Sequence, residues 1–272
     1  MLSHVRISAF NPLAVCPGLF VLQSLGESTS GKAADTGSLV GYGVEMFHLA
    51  YEGDAVAAAL HSAHLMTLHQ EARWPKADLK AAIRTVARYC EDTRSYTASS
   101  PFGIVVAERQ EAEVNLTLTP DDDDPAGEPI FLTGHVDQPR RDPFGVLKIW
   151  DVKNTKRYTG VDALYKYAWQ LAAYCVAATE TWGEDVTPGG IILTQAYHGK
   201  IKGKKPASEC GGVWISAPWS LSDCRAMLRQ VAYQIGRVRA GLIAETPGPS
   251  CSYCPGEGPS NCGRAISDLL ET

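Results

Sequence analysis

The sequence predicts an α/β fold, and three observations carry that expectation. Apolar residues at helical spacing run from Val44 to about Arg94. Short β-branched runs bounded by turn residues fill the next fifty. A second helical stretch, rich in Ala and Tyr, then separates these strands from a further apolar run. The 272 residues read as a single domain, 1–272. A mainly helical part covers about 20–100, a core covers 101–217, and a C-terminal helix with a cysteine cluster covers 218–272.

Taken in order, residues 1–20 read as a short strand or loop leading into Cys16-Pro17, and 28–40 as a polar, Gly-containing loop. From Val44 to about Arg73 the pattern is helical, with a break near Gly53. Pro75 suits the first turn of another helix running to about Arg94. Strand patterns follow at Phe102 to Ala107, Glu113 to Thr119, Pro129 to Val136 and Gly145 to Trp150, with Asp121 to Gly127 as an acidic hairpin tip. Residues 161–182 read as one helix, Ile191 to Ala196 as a buried strand and Val213 to Ser216 as a short strand. Ser220-Leu221-Ser222-Asp223 reads as a capping box opening a helix to about Leu242.

Composition narrows the function classes. The net charge is −5, so a nucleic-acid partner needs a local positive groove rather than a basic protein. The apolar N-terminal run, Ile7 to Leu25, is interrupted by Asn11, Pro12, Pro17 and Gly18, and no segment reads as a membrane span. The expected compartment is therefore the cytoplasm, where eight cysteines argue for a metal or cluster more than for disulfides.

The chemistry concentrates in Gly134-His135-Val136-Asp137 and Ile149-Trp150-Asp151-Val152-Lys153. Each acid closes a strand-like run, so adjacent antiparallel strands would bring both carboxylates to one sheet edge. Asp151 and Lys153 share a strand face by parity. Two carboxylates and an ammonium at one spot suit a divalent metal with a cationic assistant, a combination made for cutting phosphodiesters. The plainer alternative is a salt bridge between Lys153 and one acid.

In this order of elements, Gly-x-x-Asp (Gly134 to Asp137) followed by acid-x-Lys (Asp151-Val152-Lys153) resembles the PD-(D/E)XK nuclease superfamily, specifically its RecB-type exonuclease branch. The resemblance implies a restriction-endonuclease-like α/β core, a mixed central sheet flanked by helices, with a helical cap. It implies Mn²⁺ or Mg²⁺ held by Asp137, Asp151, the carbonyl of Val152 and His48, the histidine of Gly43-Val44-Glu45-Met46-Phe47-His48. Lys153 would orient or deprotonate the attacking water and stabilise charge on the phosphate. Gln170 and Tyr174, four apart on one helix face, match the Gln-x-x-x-Tyr that contacts the DNA strand in this branch, and Lys156 and Arg157 are placed to hold phosphates. Glu108 precedes the strands and is only a weak candidate for a further acid near the metals, and His61, His64 and His69 read as ordinary helix residues. The loop from His198 to Lys205 is the densest basic stretch, either a channel wall or a solvated loop.

Cys16 with Cys251, Cys254 and Cys262 resembles the one-early, three-late layout of the 4Fe–4S nucleases of this branch, among them the AddB nuclease domain and the CRISPR-associated adaptation nucleases. A cluster there would staple the N- and C-terminal segments together, and a four-cysteine zinc site has the same structural logic. Cys90, Cys175, Cys210 and Cys224 read as small hydrophobes. There is no Walker-type phosphate loop, since Gly31-Lys32 lacks the pattern. The implied activity is a stand-alone, metal-dependent DNA exonuclease acting on single-stranded ends, in recombination, repair, phage DNA metabolism or CRISPR adaptation, with a recombination or integration protein as partner. The alternative is a non-catalytic or partner-dependent DNA-end-binding iron–sulfur module.

Overall fold

The structure, a computed structural model, describes residues 3–24, 32–70, 76–119, 128–154, 161–194 and 213–241. The chain starts with strand β1 (His4–Arg6) and helices α1 (Phe10–Val15) and α2 (Pro17–Ser24), where the sequence suggested only strand or loop. Three longer helices follow: α3 (Lys32–Ala50), α4 (Ala55–Gln70) and α5 (Lys76–Glu91). Helix α3 begins about a dozen residues before Val44, so the expected loop over 28–40 is largely helix. The break falls at 51–54, where Gly53 takes φ +103°. The strands are β2 (Ile104–Val105), β3 (Ala112–Leu118), β4 (Ile130–Val136), β5 (Gln138–Arg141) and β6 (Leu147–Lys153). Helices α6 (Val161–Lys166) and α7 (Ala168–Trp182) replace the single helix expected there. They lead to β7 (Val186–Leu193), β8 (Val213–Ser216) and α8 (Leu221–Arg239).

The strands form two sheets, β1-β4-β3 and β2-β5-β6-β7-β8, and only Asp137 separates β4 from β5. The chain therefore changes sheets at this acid. The expected pairing of the two acid-bearing strands is corrected accordingly. Strand β4 pairs with β1 and β3, and the neighbour of β6 is β5, whose register sets Gln138 opposite Trp150. Strands β6 and β7 are parallel and the remaining neighbours of the larger sheet antiparallel, so the sheet is mixed.

Burial follows the parity of β6. Ile149 joins Leu171, Cys175, Ile191 and Leu228 in one core beneath α7 and α8. Trp150 joins Phe47, Met66, Val86 and Ile192 in a second core beneath α3, α4 and α5. Helices thus cover both faces of the larger sheet, as a restriction-endonuclease-like core with a helical layer requires. Helix α8 opens with the expected capping box, Ser220 and Asp223 each accepting the other's backbone N–H. Among the described residues no helix is long and apolar enough to cross a membrane.

A bulge precedes Asp151: Ile149 pairs with Pro188 but Trp150 with Gly190, leaving Gly189 over. Gly190 takes φ +147°, and a Cβ there would overlap the Ile215 carbonyl oxygen of β8. Gly190→Ala is expected to cost about 3 kcal/mol by urea unfolding. Gly183→Ala, at the α7 C-cap with φ +67° and open space around it, should cost only about 1 kcal/mol. Equal costs at the two positions would show that the close approach of β7 to β8 is not what Gly190 serves.

Candidate active site

The site is built from the ends of β4 and β6. Asp137, at the crossing between sheets, accepts a hydrogen bond from the Val152 backbone N–H through Oδ2 at 2.8 Å. That bond fixes the first acid beside the strand carrying the second. Asp151 is 1% exposed, and Lys153 Nζ lies 2.8 Å from its Oδ1 and 2.7 Å from its Oδ2. The same ammonium sits 5.0 Å from the centre of the Tyr167 ring, just before α7.

A cavity of about 480 Å³ opens between these strand ends and α3, lined among others by Glu45, Glu111, Asp137, Gln138, Val152 and Lys153. Two of these acids, Glu45 and Glu111, have no place in the sequence expectation. Glu108, the extra acid read from sequence, is exposed on a short 3₁₀ turn. Glu111 lies three residues later, takes the left-handed φ of +53°, and donates its backbone N–H to the Val136 carbonyl at 2.8 Å. The turn seats Glu111 beside the residue that precedes Asp137. A non-glycine residue in this conformation is a strained choice that position at a site would explain. The available signal was register: Glu111 immediately precedes β3 as Asp137 follows its partner β4, with Ala112 opposite Val136.

The charges are crowded. Burial, then repulsion from Asp151, raises the Asp137 proton affinity well above the usual carboxylate range, partly offset by Lys153 and by the Val152 N–H. Burial, then Glu45 and Asp151, push Glu111 up to about 7, and burial alone raises Glu45. For Lys153 burial by itself favours the neutral amine, but Asp151 and Asp137 outweigh it and the proton is held more tightly than usual.

Among the described residues no three His, Cys, Asp or Glu side chains already stand in a metal-ion cage. The donor chemistry nevertheless fits one. Asp137, Asp151, Glu111 and Glu45 offer hard oxygens around a single ammonium, and the raised proton affinities of Asp137 and Glu111, due first to burial and then to neighbouring carboxylates, mark a crowding of acids that a divalent cation would relieve.

His48 does not line this cavity. It is 7% exposed, with Nε2 2.6 Å from the Tyr89 hydroxyl; that hydroxyl accepts from Gln138 Nε2 at 3.0 Å, and Gln138 Oε1 accepts from Arg140 at 3.0 Å. Burial, then the Arg140 guanidinium, hold the ring well below the usual histidine value. On α3 it is Glu45, three residues earlier, that faces the cavity. Gln170 and Tyr174 are buried at 3% and 5% exposure. Gln170 donates to the Tyr174 hydroxyl at 3.2 Å and accepts from Asn11 at 2.6 Å. They form a floor beneath the acids. Burial, then Asp137 and Asp151, hold the Tyr174 proton tightly. Gly134 explains the glycine of Gly-x-x-Asp, since a Cβ there would stand 2.7 Å from Tyr174 Cε1 and 3.2 Å from Ile7 Cβ.

Lys156 and Arg157 lie outside the described residues, as do the loop from His198 to Lys205, Cys210, Cys251, Cys254 and Cys262. Cys16 is buried at the end of α1, and Cys90, Cys175 and Cys224 are buried free thiols.

Buried carboxylates and a lysine at strand ends in a mixed, helix-flanked sheet are groups suited to metal-assisted phosphodiester hydrolysis. The profile of the PD-(D/E)XK nuclease superfamily matches residues 4–257, and the chain belongs to that superfamily, whose members are nucleases acting on nucleic acids and usually using Mg²⁺ or Mn²⁺. No curated protein matches the chain.

A pH dependence follows. Glu111 titrates near 7 in the folded chain against an ordinary 4.5, so the folded state binds its proton more tightly than the unfolded state does. Its contribution to stability is complete below about 4.5 and is lost as pH rises through about 7. Urea midpoints measured in EDTA should therefore fall between pH 5 and pH 8 relative to those of Glu111→Gln, in which the opposing rise from the buried His48 is the same, and Mn²⁺ should raise the wild-type midpoint at pH 8. A wild-type midpoint that rises over this range relative to the variant's would remove the crowding argument.

Proposed function

We propose that this chain is a Mg²⁺- or Mn²⁺-dependent DNA exonuclease of the RecB-type branch, hydrolysing phosphodiester bonds at single-stranded ends. The observation that carries the reading is the Asp137 to Val152 N–H bond, which locks the first acid against the strand bearing Asp151 and Lys153. Asp137 and Asp151, with the Val152 carbonyl, would hold the divalent ion, and the ion when bound would polarise the scissile phosphate. Lys153 stays cationic beside two acids, so it acts as a fixed donor to charge developing on the phosphate rather than as a base. Glu111, which lines the same cavity, would be available to accept a proton from the attacking water. His48 acts at one remove, bracing Gln138 through Tyr89. Tyr174, held by Gln170, lies within the field of Asp137, Asp151 and Lys153.

End-labelled single-stranded DNA with Mn²⁺ tests this reading. Wild-type protein should shorten the strand from one end, and Lys153→Ala should be slower by about 10²–10³-fold while keeping its fold by circular dichroism. Folded wild type that leaves the label intact with either ion would favour a non-catalytic or partner-dependent end-binding module instead.

The same reading places a 4Fe–4S cluster on Cys16, Cys251, Cys254 and Cys262. It is supported by one buried cysteine at the end of α1 and the Cys-x2-Cys-x7-Cys spacing near the C-terminus. Anaerobically purified chain should contain iron and acid-labile sulfide in equal amounts, both lost in Cys254→Ala. Zinc in place of iron would turn the assignment to a structural zinc site.

A further inference from the structure

Helix α8 buries Cys224, Leu228, Val231, Ile235 and Val238 against the core beneath α7. Its opposite face carries Arg225, Arg229, Tyr233 and Arg237, one at every fourth residue. Arg225 and Arg229 are exposed, Arg237 is half-buried, and Tyr233 is 57% exposed. None of the three arginines makes an ion pair among the described residues, and the helix's one acid, Asp223, is engaged by Ser220 in the capping box. Like charges at this spacing repel and cost a free helix stability. In a chain of net charge −5, a row of three arginines without an ion pair among the described residues, spanning about 18 Å, is a local concentration of positive charge.

Two aromatic residues pair near the start of α8. Trp219, just before α8, meets the Tyr165 ring edge-on at 6.1 Å between centroids. Tyr165 is 62% exposed on α6, two residues before the Tyr167 ring that lies against the Lys153 ammonium. Guanidinium groups bind phosphates in a planar fork, and exposed rings stack on unpaired bases. An acidic peptide would use the arginines but has no base to stack on the Tyr233 ring between them. We propose that the outer face of α8, with the exposed Tyr165 near its start, is a binding track for a single nucleic-acid strand outside the catalytic cavity. The proposal rests on the nuclease reading for its occupant, but not for its geometry.

The test is fluorescence anisotropy with labelled oligothymidine longer than about 16 nucleotides, using the full chain in EDTA so that the strand is not cut. Replacing Arg225, Arg229 and Arg237 together by Gln should weaken binding at least about tenfold near physiological salt. It should also make the log Kd against log salt slope shallower by about 2, as expected of three lost phosphate contacts on a single strand. The triple Arg→Lys variant should keep the wild-type slope, and Tyr233→Ala should weaken binding while leaving the slope alone. A triple Gln variant with the wild-type Kd and slope overturns the track. Wild-type degradation assayed in parallel separates the two readings. Arginine-dependent binding without cleavage keeps the track and removes the nuclease, whereas cleavage with an unchanged slope does the reverse.

Discussion

The ammonium of Lys153 stands in contact with Asp151 and within the field of Asp137, and its neighbourhood is otherwise supplied by acids and a tyrosine. Removing one partner of such a buried pair leaves the other uncompensated, typically at a cost of about 3–5 kcal/mol, while forming the pair stabilises little over well-packed apolar residues. The pair is thus a constraint on the rest of the molecule more than a source of its stability. Two apolar cores, one on each face of the larger sheet, offset what the crowded acids cost. The strand that divides those cores delivers Ile149 to one, Trp150 to the other and Asp151 to the site.

Helix α7 ties this arrangement together. It packs on strands of both sheets, touching β3 and β4 of one and β6 and β7 of the other. It also sets Tyr174 against Gly134, where nothing larger than glycine leaves room for the ring. On the opposite side Gln138, the first residue of β5, is braced by Tyr89 and by Arg140. The Arg140 guanidinium is fully buried and donates to the carbonyls of Arg94, Ser95 and Gly103. Asp137 is therefore held from before and after by side chains that reach it from different layers.

The parts of this arrangement that sequence made legible are those written in local chemistry. The acid-x-Lys parity survives in β6, and Ser220 with Asp223 caps α8, because both depend only on spacing within one element. What stayed hidden depends on partners far along the chain. Gln138-Pro139-Arg140-Arg141 reads as polar and proline-broken, yet it is a mostly buried strand because backbone carbonyls over residues 94–103 satisfy Arg140. The start of α3 was concealed by Gly, Ser and Thr residues that favour loops until neighbouring helices decide otherwise. Glu111 was obscured because a positive φ, not a spacing rule, brings it to the cavity. His48 shows the reverse case: a helix-borne histidine of the expected type turns toward Tyr89, and the residue one turn before it faces the acids.

A linker of one residue between two sheets has no slack. Any rotation of the smaller sheet against the larger must be absorbed at Asp137 itself, in the same backbone torsions that aim its carboxylate. This acid thus doubles as a joint between the two sheets. Loosening too slight to melt either core would displace the carboxylate before it exposed any buried surface, so in this architecture turnover is a finer gauge of rigidity than unfolding.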